Sequence, residues 1–581
     1  MSNAEIARVL DDIAAALEIK GENVFKIRAY YRAAETIANL PEELAALRAR
    51  GELRKLSGVG AGIAEKIEEL LDTGKCTYHE QLQAEFSPAL LELLRIPEVG
   101  PKTVKLLHEQ LGIGSIAELE AAAEAGKLRE LRGLGEKTEV NILKGIRQVR
   151  RFAERFPLAV VYPMATRIAA LLAERAPVEK ISPAGSLRRR RDTVRDLDIL
   201  VTANDPEQVM EVFVKLPMVR EVTMRGPTKT SIIAEEGLQV DLRVVAPEEF
   251  GAALLYFTGS KEHNVKLREM AVKRKLRINE YGLFEVETNK RLGGKTEEEM
   301  YRLMKLPWIP PEMREDQGEI EAAQRGELPE LVELKDVRGD LHVHSKWSDG
   351  RATIEAMVKA AQERGYEYVA ICDHSPAQVV ANGLSVERLR QRQEEIARVR
   401  RKFPGMAVLA GTEVDIRADG SLDYPDEVLA ELDFVVASVH SGWKSSAQVN
   451  TERILRAIAN PYVDLIGHPT GRLVGQRDPY EVDIEQVIRA AAKAGVALEI
   501  DSHPDRLDLK DSHARLAKEH GVKLVINTDS HSLDGYDLMH FGVATARRGW
   551  IEPKDVLNTL PREKFLAARR KRPGRKRLVV A

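Results

Sequence analysis

Residue types that bind metal ions recur at the ends of short apolar runs in the carboxyl-terminal part of the chain. The runs of Val, Ile, Leu, Ala and Phe have the length and composition of buried strands. The residues that follow or end them are His342, His344, Asp349, His374, Glu413, His440, His468, Asp529 and His531. A strand that ends in a ligand, repeated along the chain, is how a parallel α/β barrel builds a catalytic metal cluster. Mixed imidazole and carboxylate ligands suit Mn²⁺ or Zn²⁺, and nine groups call for two or three ions.

A separate set of carboxylates lies in the middle of the chain. Asp196 and Asp198 alternate along an apolar segment, which places both side chains on one face of a strand, and Asp241 lies in a second strand-like segment. Three carboxylates in a small volume repel each other and raise one another's pKa. Two Mg²⁺ or Mn²⁺ ions about 3.5–4 Å apart would relieve the repulsion and activate a hydroxyl beside a triphosphate. The preceding turn, Gly185-Ser186, offers backbone amides and a hydroxyl to phosphate.

This middle part of the chain resembles the X-family DNA polymerases, which have the nucleotidyltransferase fold. Tyr256 to Ser260 is similar to the thumb motif of that family, and Asn264 and Arg268 continue it with minor-groove contacts. The resemblance implies that Asp196 and Asp198 hold both metals, and that Asp241 holds the catalytic metal and accepts the proton of the primer 3′-hydroxyl. It also implies a set of nucleotide-binding residues. These are Gly185, Ser186, Arg189, Tyr256, Phe257, Gly259, Ser260, Lys261 and Asn264, with Ser186 and Arg189 on the β and γ phosphates.

Lys261 departs from the family pattern, because mammalian polymerase beta has an acidic residue at that position. We hypothesise that a cation there strengthens nucleotide binding before DNA arrives.

The amino-terminal part, up to about residue 150, has the apolar spacing of helices and three glycine-containing turns. Glycines permit a tight turn whose amides, with the start of the next helix, contact a phosphate. The turns resemble helix-hairpin-helix motifs, which bind DNA without sequence preference and with a strong salt dependence. The DNA-binding residues predicted for the chain are Gly58, Gly60, Gly100, Lys102, Gly133, Gly135 and Arg268.

Lys66 lies in a segment that resembles the amino-terminal domain of polymerase beta. A lysine at this position forms a Schiff base there and removes a 5′-deoxyribose phosphate, which requires a lowered pKa. Phe25 and Gly62 replace polar or basic residues of that pocket. Two interpretations of Lys66 stay open: a lyase nucleophile, or a cation that only contacts the 5′-phosphate.

The carboxyl-terminal part resembles the PHP (polymerase and histidinol phosphatase) family, a (β/α)₇ barrel with a trinuclear metal site. Asp349 stands where some relatives have His. The resemblance implies phosphoester hydrolysis by a bridging hydroxide, because bound water can have its pKa lowered from about 15.7 to about 7. Three interpretations of the whole chain follow. One is a gap-filling repair polymerase with a 3′-5′ exonuclease; the others are a polymerase fused to a phosphatase of small phosphomonoesters, and a DNA-binding scaffold with inactive sites.

The composition limits the remaining possibilities. The chain has 581 residues, a net charge of −3 and two cysteines, and it shows neither a signal-peptide pattern nor an apolar stretch of membrane-spanning length. We expect a cytoplasmic monomer that binds gapped or primer-template DNA and dNTPs and no membrane.

The expected architecture is multidomain α/β. The predicted domains are a helical lyase-like domain with one hairpin over 1–85, a helical domain with two hairpins over 86–152, an α+β nucleotidyltransferase palm over 153–250, a helical and mixed thumb over 251–315, a linker over 316–336, and a PHP (β/α)₇ barrel over 337–575.

Overall fold

The computed structural model describes residues 3–38, 44–56, 58–96, 99–131, 133–153 and 155–569. It divides into two compact units, Met1–Glu154 and Arg155–Ala581. Two residues of the predicted hairpins, Ser57 and Glu98, and the last residues of the predicted barrel, 570–575, lie outside the described residues. Among the described residues, no helix has both the length and the apolar character needed to cross a bilayer.

The first unit is helical and has two hydrophobic cores. One core gathers apolar residues between Ile6 and Leu82, and the other gathers apolar residues between Ile19 and Ile146. The helices are Asn3–Lys20, Val24–Ala38, Leu44–Ala49, Ala61–Thr73, Thr77–Glu85, Pro88–Leu91, Pro101–Leu111, Ile116–Glu124 and Glu136–Ala153, with 3₁₀ turns Leu53–Lys55, Glu92–Arg95 and Leu128–Glu130. The predicted helical character of this part of the chain is confirmed.

The second unit begins with a five-stranded mixed sheet, the palm. Its strands, in spatial order, are Val178–Pro183, Asp196–Ala203, Gln239–Val244, Lys229–Ala234 and Val219–Arg225. The second and third strands run parallel, and the other pairs are antiparallel. The helices are Leu158–Arg175, Gly185–Arg188 and Pro206–Val214, and the two-residue strands Phe156–Pro157 and Thr193–Val194 pair with each other.

The thumb combines helices with a small antiparallel sheet. Its helices are Phe250–Thr258, Lys261–Lys273, Glu297–Leu303 and Glu319–Arg325, with a 3₁₀ turn Pro311–Met313, and its strands are Leu276–Asn279, Gly282–Glu285 and Arg291–Gly293. The segment 316–336, expected as a linker, contributes the last of these helices. Ile320 and Ala323 pack in the same core as Leu267 and Tyr301, so the helix belongs to the packed thumb.

The barrel consists of seven parallel strands in sequence order, so the predicted (β/α)₇ architecture is confirmed. The strands are Gly339–Val343, Tyr368–Ile371, Ala407–Asp415, Phe434–Ser438, Leu465–Ile466, Ala497–Asp501 and Leu524–Asn527. All are buried along their whole length, which explains why their sequences are continuous apolar runs. A parallel bridge between Val343 and Ser530, with a 2.8 Å hydrogen bond from the amide of His344 to the Ser530 carbonyl, joins the last strand to the first.

The helices of the barrel surround these strands. They are Ile354–Glu363, Val386–Lys402, Asp426–Leu429, Ala447–Ala459, Ile484–Ala494, Asp511–Glu519, Met539–Arg548 and Arg562–Ala568, with 3₁₀ turns Leu334–Asp336, Asp534–Leu538, Pro553–Asp555 and Leu557–Thr559.

Candidate active sites

The barrel brings all nine predicted ligands to one end, because every one of them lies at, or just beyond, the carboxyl end of a strand. Their side chains form three groups in which the ligand atoms lie within 4.8 Å of one another. The groups are His344, Asp349, His374 and His531; His342, His344 and Asp529; and His374, Glu413 and His440. His468 joins the third group, since its Nε2 lies 2.9 Å from Glu413 Oε1. Three groups are the number that a trinuclear centre requires.

The ligand atoms in this cluster fit metal ions rather than a hydrogen-bonded core. Among the described residues, several buried nitrogens and oxygens here have no hydrogen-bond partner. They are His342 Nε2, both ring nitrogens of His344, His374 Nδ1, His468 Nδ1, Glu413 Oε2 and Asp529 Oδ1. Some of them lie close together, His374 Nδ1 2.8 Å from Glu413 Oε2 and His344 Nε2 3.0 Å from Asp529 Oδ1, but without the geometry of a hydrogen bond. Buried polar atoms are nearly always satisfied, so a converging set of unsatisfied ones indicates an ion. The donor set of imidazoles and carboxylates is the one that Zn²⁺ and Mn²⁺ accept.

The pKa values of the ligands depend on their burial and on the imidazoles and carboxylates around them. Burial opposes a charge on His342, but Glu499, Asp529 and Glu413 raise its pKa well above the ordinary value. Burial would raise the pKa of Glu413, yet the neighbouring imidazoles hold it well below its usual range. Burial, with the imidazoles of His531 and His374, lowers the pKa of His344 to about 4. Metal binding must therefore displace protons from some of the histidines.

Supporting residues that the sequence did not reveal orient these ligands. Glu499 Oε1 lies 2.8 Å from His342 Nδ1, and its other oxygen accepts a 2.7 Å hydrogen bond from the His468 amide. Asp415 Oδ1 lies 3.2 Å from His440 Nδ1. A carboxylate behind a ligating imidazole fixes its tautomer and increases its basicity. Both residues lie inside apolar strands, where only their charge among buried neighbours could have marked them.

An arginine also reaches this centre. Arg506 Nε lies 3.4 Å from Asp501 Oδ2 and 4.0 Å from Asp529 Oδ2. Its loop follows the sixth barrel strand, and its guanidinium is the kind of group that clamps a phosphate beside metals.

The palm places the three predicted carboxylates together. Asp198 and Asp241 are directly opposite each other on the two parallel strands, and Asp196 lies two residues before Asp198 on the same face. Burial, with the charges of Asp196 and Asp241, raises the pKa of Asp198 to about 6. The geometry is thus the crowded anionic cluster that divalent cations neutralise.

Lys229 and Gln239, which the sequence did not indicate, bind Asp241. Lys229 Nζ lies 2.8 Å from Asp241 Oδ2, and Gln239 Nε2 donates a 3.0 Å hydrogen bond to Oδ1. Burial opposes ionisation, but bonds from Lys229, Ser231 and Gln239 hold the pKa of Asp241 below its ordinary value. The Lys229 ammonium thus partly neutralises Asp241, as a bound metal cation would.

The predicted phosphate-binding turn lies next to the triad. A Cβ atom added to Gly185, whose φ is +60°, would lie 3.0 Å from Asp198 Oδ2, so only glycine lets this turn approach the carboxylate so closely. Ser186 lies in the single-turn helix that begins at Gly185.

Arg189, predicted to bind phosphates, is half-enclosed between palm and thumb. Its Nε donates a 3.0 Å hydrogen bond to Glu315 Oε1, and Nη1 donates to the carbonyl of Thr258. Arg188 makes two 2.7 Å hydrogen bonds to the buried Glu297. A triphosphate that used Arg189 would therefore have to compete with Glu315.

The thumb motif lies beside this turn. A Cβ at Gly259 would lie 3.1 Å from Arg189 Nη1, and Ser260 begins the helix Lys261–Lys273 by accepting a 3.2 Å hydrogen bond from the amide of His263. Asn264 Nδ2 donates to the Tyr256 carbonyl at 2.8 Å. The remaining predicted residues are the ring pair Tyr256 and Phe257, whose centroids are 5.0 Å apart, and the exposed Lys261 and Arg268.

The three glycine turns of the first unit share one local structure. In each, a 3₁₀ turn precedes the glycine segment, whose central apolar residue, Val59, Val99 or Leu134, is buried. The amide of that residue donates a hydrogen bond of 3.0–3.1 Å to a carbonyl three residues earlier. Gly60 and Gly100 are N-caps without a side-chain capping bond, which leaves their helix amides available to a phosphate. Gly135 directly precedes the third such helix, Glu136–Ala153. Glu136 follows Gly135 as Pro101 follows Gly100 in the second hairpin, so Lys137 corresponds to Lys102.

Gly58 has a structural role as well. Its φ is +81°, and a Cβ there would lie 2.7 Å from the Ala33 backbone nitrogen, so the first hairpin packs directly on helix Val24–Ala38. Gly133 also has a positive φ of +94°.

Lys66 is half-buried on helix Ala61–Thr73. Its Nζ donates a 3.0 Å hydrogen bond to the Gly62 carbonyl and lies 4.8 Å from the ring centroid of Tyr78. Lys26 Nζ lies 3.4 Å from the Tyr78 hydroxyl, so two ammonium groups share one tyrosine. Lys26 also lies 3.2 Å from Glu22, and the arrangement leaves both interpretations of Lys66 open.

Comparisons with known families agree with this arrangement. Family models match a helix-hairpin-helix domain over residues 1–76, a SAM-like helix-hairpin-helix tandem over 90–148, a DNA polymerase beta thumb over 253–315 and a PHP domain over 340–503. The fold and the two carboxylate-rich sites thus define a polymerase of the beta type joined to a PHP barrel.

Curated relatives extend the comparison to nearly the whole chain. The "DNA polymerase/3′-5′ exonuclease PolX" of Bacillus subtilis (strain 168) is 42% identical over 560 residues, 96% of this chain and 97% of that protein. The chain belongs to the PolX family. The barrel is also similar to a probable phosphatase of Thermoanaerobacter sp. (strain X514), 34% identical over 38% of this chain and 89% of that protein, and to one of Acetivibrio thermocellus, 35% identical over 33% and 78%.

Proposed function

We propose that the chain is a DNA-directed DNA polymerase that fills short gaps during DNA repair and removes 3′ nucleotides with its barrel. The observation that carries this proposal is the presence of two separate metal-ligand constellations in one chain, each complete in its donor atoms. Full-length similarity to a polymerase with exonuclease activity supports it.

In the palm, Asp196, Asp198 and Asp241 would hold two Mg²⁺ or Mn²⁺ ions. Bound there, the ions neutralise the carboxylates and the triphosphate and lower the pKa of the primer hydroxyl. Asp241 accepts the proton of the 3′-hydroxyl: burial opposes its charge, but bonds from Lys229, Ser231 and Gln239 keep it ionised, and it lies opposite Asp198. The Gly185-Ser186 turn and Arg189 bind the β and γ phosphates. The Tyr256–Phe257 pair, Gly259, Ser260, Lys261 and Asn264 line the sugar and base, and Arg268 contacts DNA.

In the barrel, the nine ligands would hold two or three Mn²⁺ or Zn²⁺ ions. These ions supply a hydroxide at neutral pH and stabilise charge on the phosphate. Arg506 binds the non-bridging oxygens of the scissile phosphodiester, because its guanidinium lies 4.0 Å from the ligand Asp529 and therefore beside the metal centre. Glu499 and Asp415 hold His342 and His440 in their ligating orientation.

The substrates are DNA and dNTPs. Gapped or primer-template DNA binds the backbone amides at the three glycine turns, with Gly58, Gly60, Gly100, Lys102, Gly133 and Gly135 at the contacts. The protein acts as a cytoplasmic monomer on dNTPs.

A lyase role of Lys66 is tested by borohydride trapping on an abasic substrate. We expect wild type to form a covalent adduct that Lys66→Ala does not form. If wild type forms no adduct, Lys66 is not a lyase nucleophile.

The two activities can be separated by single substitutions. Asp198→Ala should abolish nucleotide incorporation on gapped DNA and leave removal of a 3′-labelled nucleotide unchanged. His344→Ala should do the reverse. Incorporation by Asp198→Ala at the wild-type rate would contradict the polymerase site, and nucleotide removal by His344→Ala would contradict the barrel site.

A second candidate substrate for the barrel is a small phosphomonoester, which the similarity to probable phosphatases favours. Hydrolysis of 3′-labelled DNA and of p-nitrophenyl phosphate by the same preparation distinguishes the two. We expect kcat/KM for DNA to exceed that for the monoester, with both activities lost in His344→Ala; a higher value for the monoester would favour the phosphatase.

A further inference from the structure

A basic cavity of about 370 Å³ lies between the palm and the barrel. Its lining includes five cationic side chains, Arg190, Arg191, Arg472, Lys510 and Arg548, against two carboxylates, Asp192 and Asp511. Five minus two leaves three positive charges in excess. Within the described part of the chain, the lining contains none of the residues assigned above to metals, nucleotide or DNA.

The cations come from separate elements and converge on one space. Arg190 and Arg191 belong to the palm turn after the nucleotide-binding helix, Arg472 to a barrel loop, and Arg548 to the helix Met539–Arg548. Lys510 directly precedes helix Asp511–Glu519, whose first turn is already capped because the Ser512 amide donates a 2.8 Å hydrogen bond to Asp511 Oδ1.

Some of these charges are already neutralised. Arg472 Nη1 lies 3.0 Å from Asp192, and Arg548 lies 2.6 Å from Asp511 and 3.0 Å from Glu315, which is outside the lining. Arg472 also donates to the carbonyls of Arg506 and Leu507. These two arginines therefore fix the shape of the cavity.

Other charges are not neutralised. Among the described residues, Lys510 has no carboxylate within ion-pair distance, and Arg190 Nη1 is buried without a hydrogen-bond partner while its guanidinium stacks on Tyr162 at 4.4 Å. Arg191 has only a 3.8 Å contact with Glu315. The positive field also reaches His513, where burial, Lys510 and Arg472 lower the pKa to about 4.

We propose that this cavity binds a small phosphate-bearing anion, of the size of pyrophosphate or a nucleoside monophosphate. A converging set of guanidinium and ammonium donors around a compact space suits a multivalent anion, because charge-assisted bonds from several directions bind phosphate oxygens together. The volume lies near the lower end of small-molecule sites, about 300–1,000 Å³. An extended duplex would instead need cations spread along a surface.

The test is a calorimetric titration of the full-length protein with inorganic pyrophosphate. The protein keeps its bound metals, and because both metal centres are the same in every variant, the difference in affinity between variants reports the cavity. We expect Lys510→Ala to weaken binding about tenfold, the loss typical of one charge-assisted bond. Lys510→Arg should restore most of it, and Arg191→Ala/Lys510→Ala should abolish it. The matched control is Lys493→Ala, an exposed lysine on another barrel helix, which should leave binding within about twofold of wild type.

Parallel titrations with deoxyadenosine monophosphate and inorganic phosphate identify the source of the anion. Tighter binding of pyrophosphate indicates the product of nucleotidyl transfer, and tighter binding of the monophosphate indicates the product of 3′ trimming. Unchanged pyrophosphate binding in the double variant, or an equal loss in Lys493→Ala, would overturn the proposal. So would a Lys510→Ala variant that loses affinity only for a DNA oligonucleotide, which would assign the cavity to the DNA backbone.

Discussion

The palm places three carboxylates on one face of an open sheet, whereas the barrel gathers six imidazoles and three carboxylates at the ends of seven parallel strands. In the barrel, the pKa of His342 is raised and the pKa of Glu413 is lowered. The two side chains therefore favour opposite charges. Among the described residues, no histidine lies within ion-pair distance of the palm triad, and Lys229 Nζ lies 2.8 Å from Asp241 Oδ2.

The two sites therefore differ in what a binding metal competes with. In the barrel, burial opposes a charge on His342, but the neighbouring carboxylates raise its pKa, so a metal that binds His342 competes with a proton. In the palm, burial and the charges of Asp196 and Asp241 raise the pKa of Asp198, so a metal that binds there offsets the cost of its charge. Loading of the barrel should depend strongly on pH, and loading of the palm should increase the stability of the fold.

Glu413→Gln should have the largest effect, because its carboxylate lies within 2.8–3.7 Å of five ligand histidines, His342, His344, His374, His440 and His468. We expect nucleotide removal to fall by at least roughly 10³-fold with fewer metals bound, and incorporation to stay unchanged. Elemental analysis and 3′-label release measure these effects. Glu427→Gln, at an exposed glutamate of the same barrel, is the matched control. Full exonuclease activity in Glu413→Gln would show that the barrel centre does not depend on the charge of the Glu413 carboxylate.

Asp198→Asn should stabilise the metal-free protein at high pH. The pKa of Asp198 is raised from its ordinary 3.8 to about 6, so the folded state prefers the protonated form, and that preference is lost as the pH rises through 6. At pH 8 the neutral amide should therefore increase stability by up to about 3 kcal/mol, and the gain should disappear as the pH falls towards 4. Thermal unfolding at pH 4.5 and pH 8 measures it. A gain that does not depend on pH would show that the cost of ionising Asp198, from burial and from Asp196 and Asp241, is not its cause.

The sequence was enough to predict site residues whose positions depend on their spacing along one strand. Ligands such as His440 and His468 follow apolar runs, and the spacing of Asp196 and Asp198 is that of one face of a strand. It was insufficient where distant segments meet. Nothing local pairs Arg548 with Glu315, 233 positions earlier. The short helix Glu319–Arg325 is too brief for a recognisable apolar period, so the sequence predicts a linker there.

Glu499→Gln should have an intermediate effect on the barrel. It retains the size of the side chain but removes the charge behind His342, whose Nδ1 lies 2.8 Å from Glu499 Oε1. Loss of such a supporting carboxylate costs about 10–100-fold in metal affinity. Titration of the metal-free protein with Mn²⁺ measures it, with Glu427→Gln again as the control. An affinity equal to wild type would mean that Asn527, which donates a 2.8 Å hydrogen bond to the same oxygen, is enough to hold the position.

Lys229→Ala should have the smallest effect, and in the opposite direction. The ammonium lies 2.8 Å from Asp241 Oδ2 and is about one-third exposed, so the pair contributes at most about 1 kcal/mol. A metal that binds Asp241 must displace it, and its removal should lower the Mg²⁺ concentration for half-maximal incorporation by up to about fivefold. Lys215→Ala, which removes an exposed lysine paired with Glu211, is the control. A higher Mg²⁺ requirement in Lys229→Ala would show instead that the lysine holds Asp241 in position for the ions, and the palm would then rely on a supporting residue as the barrel does.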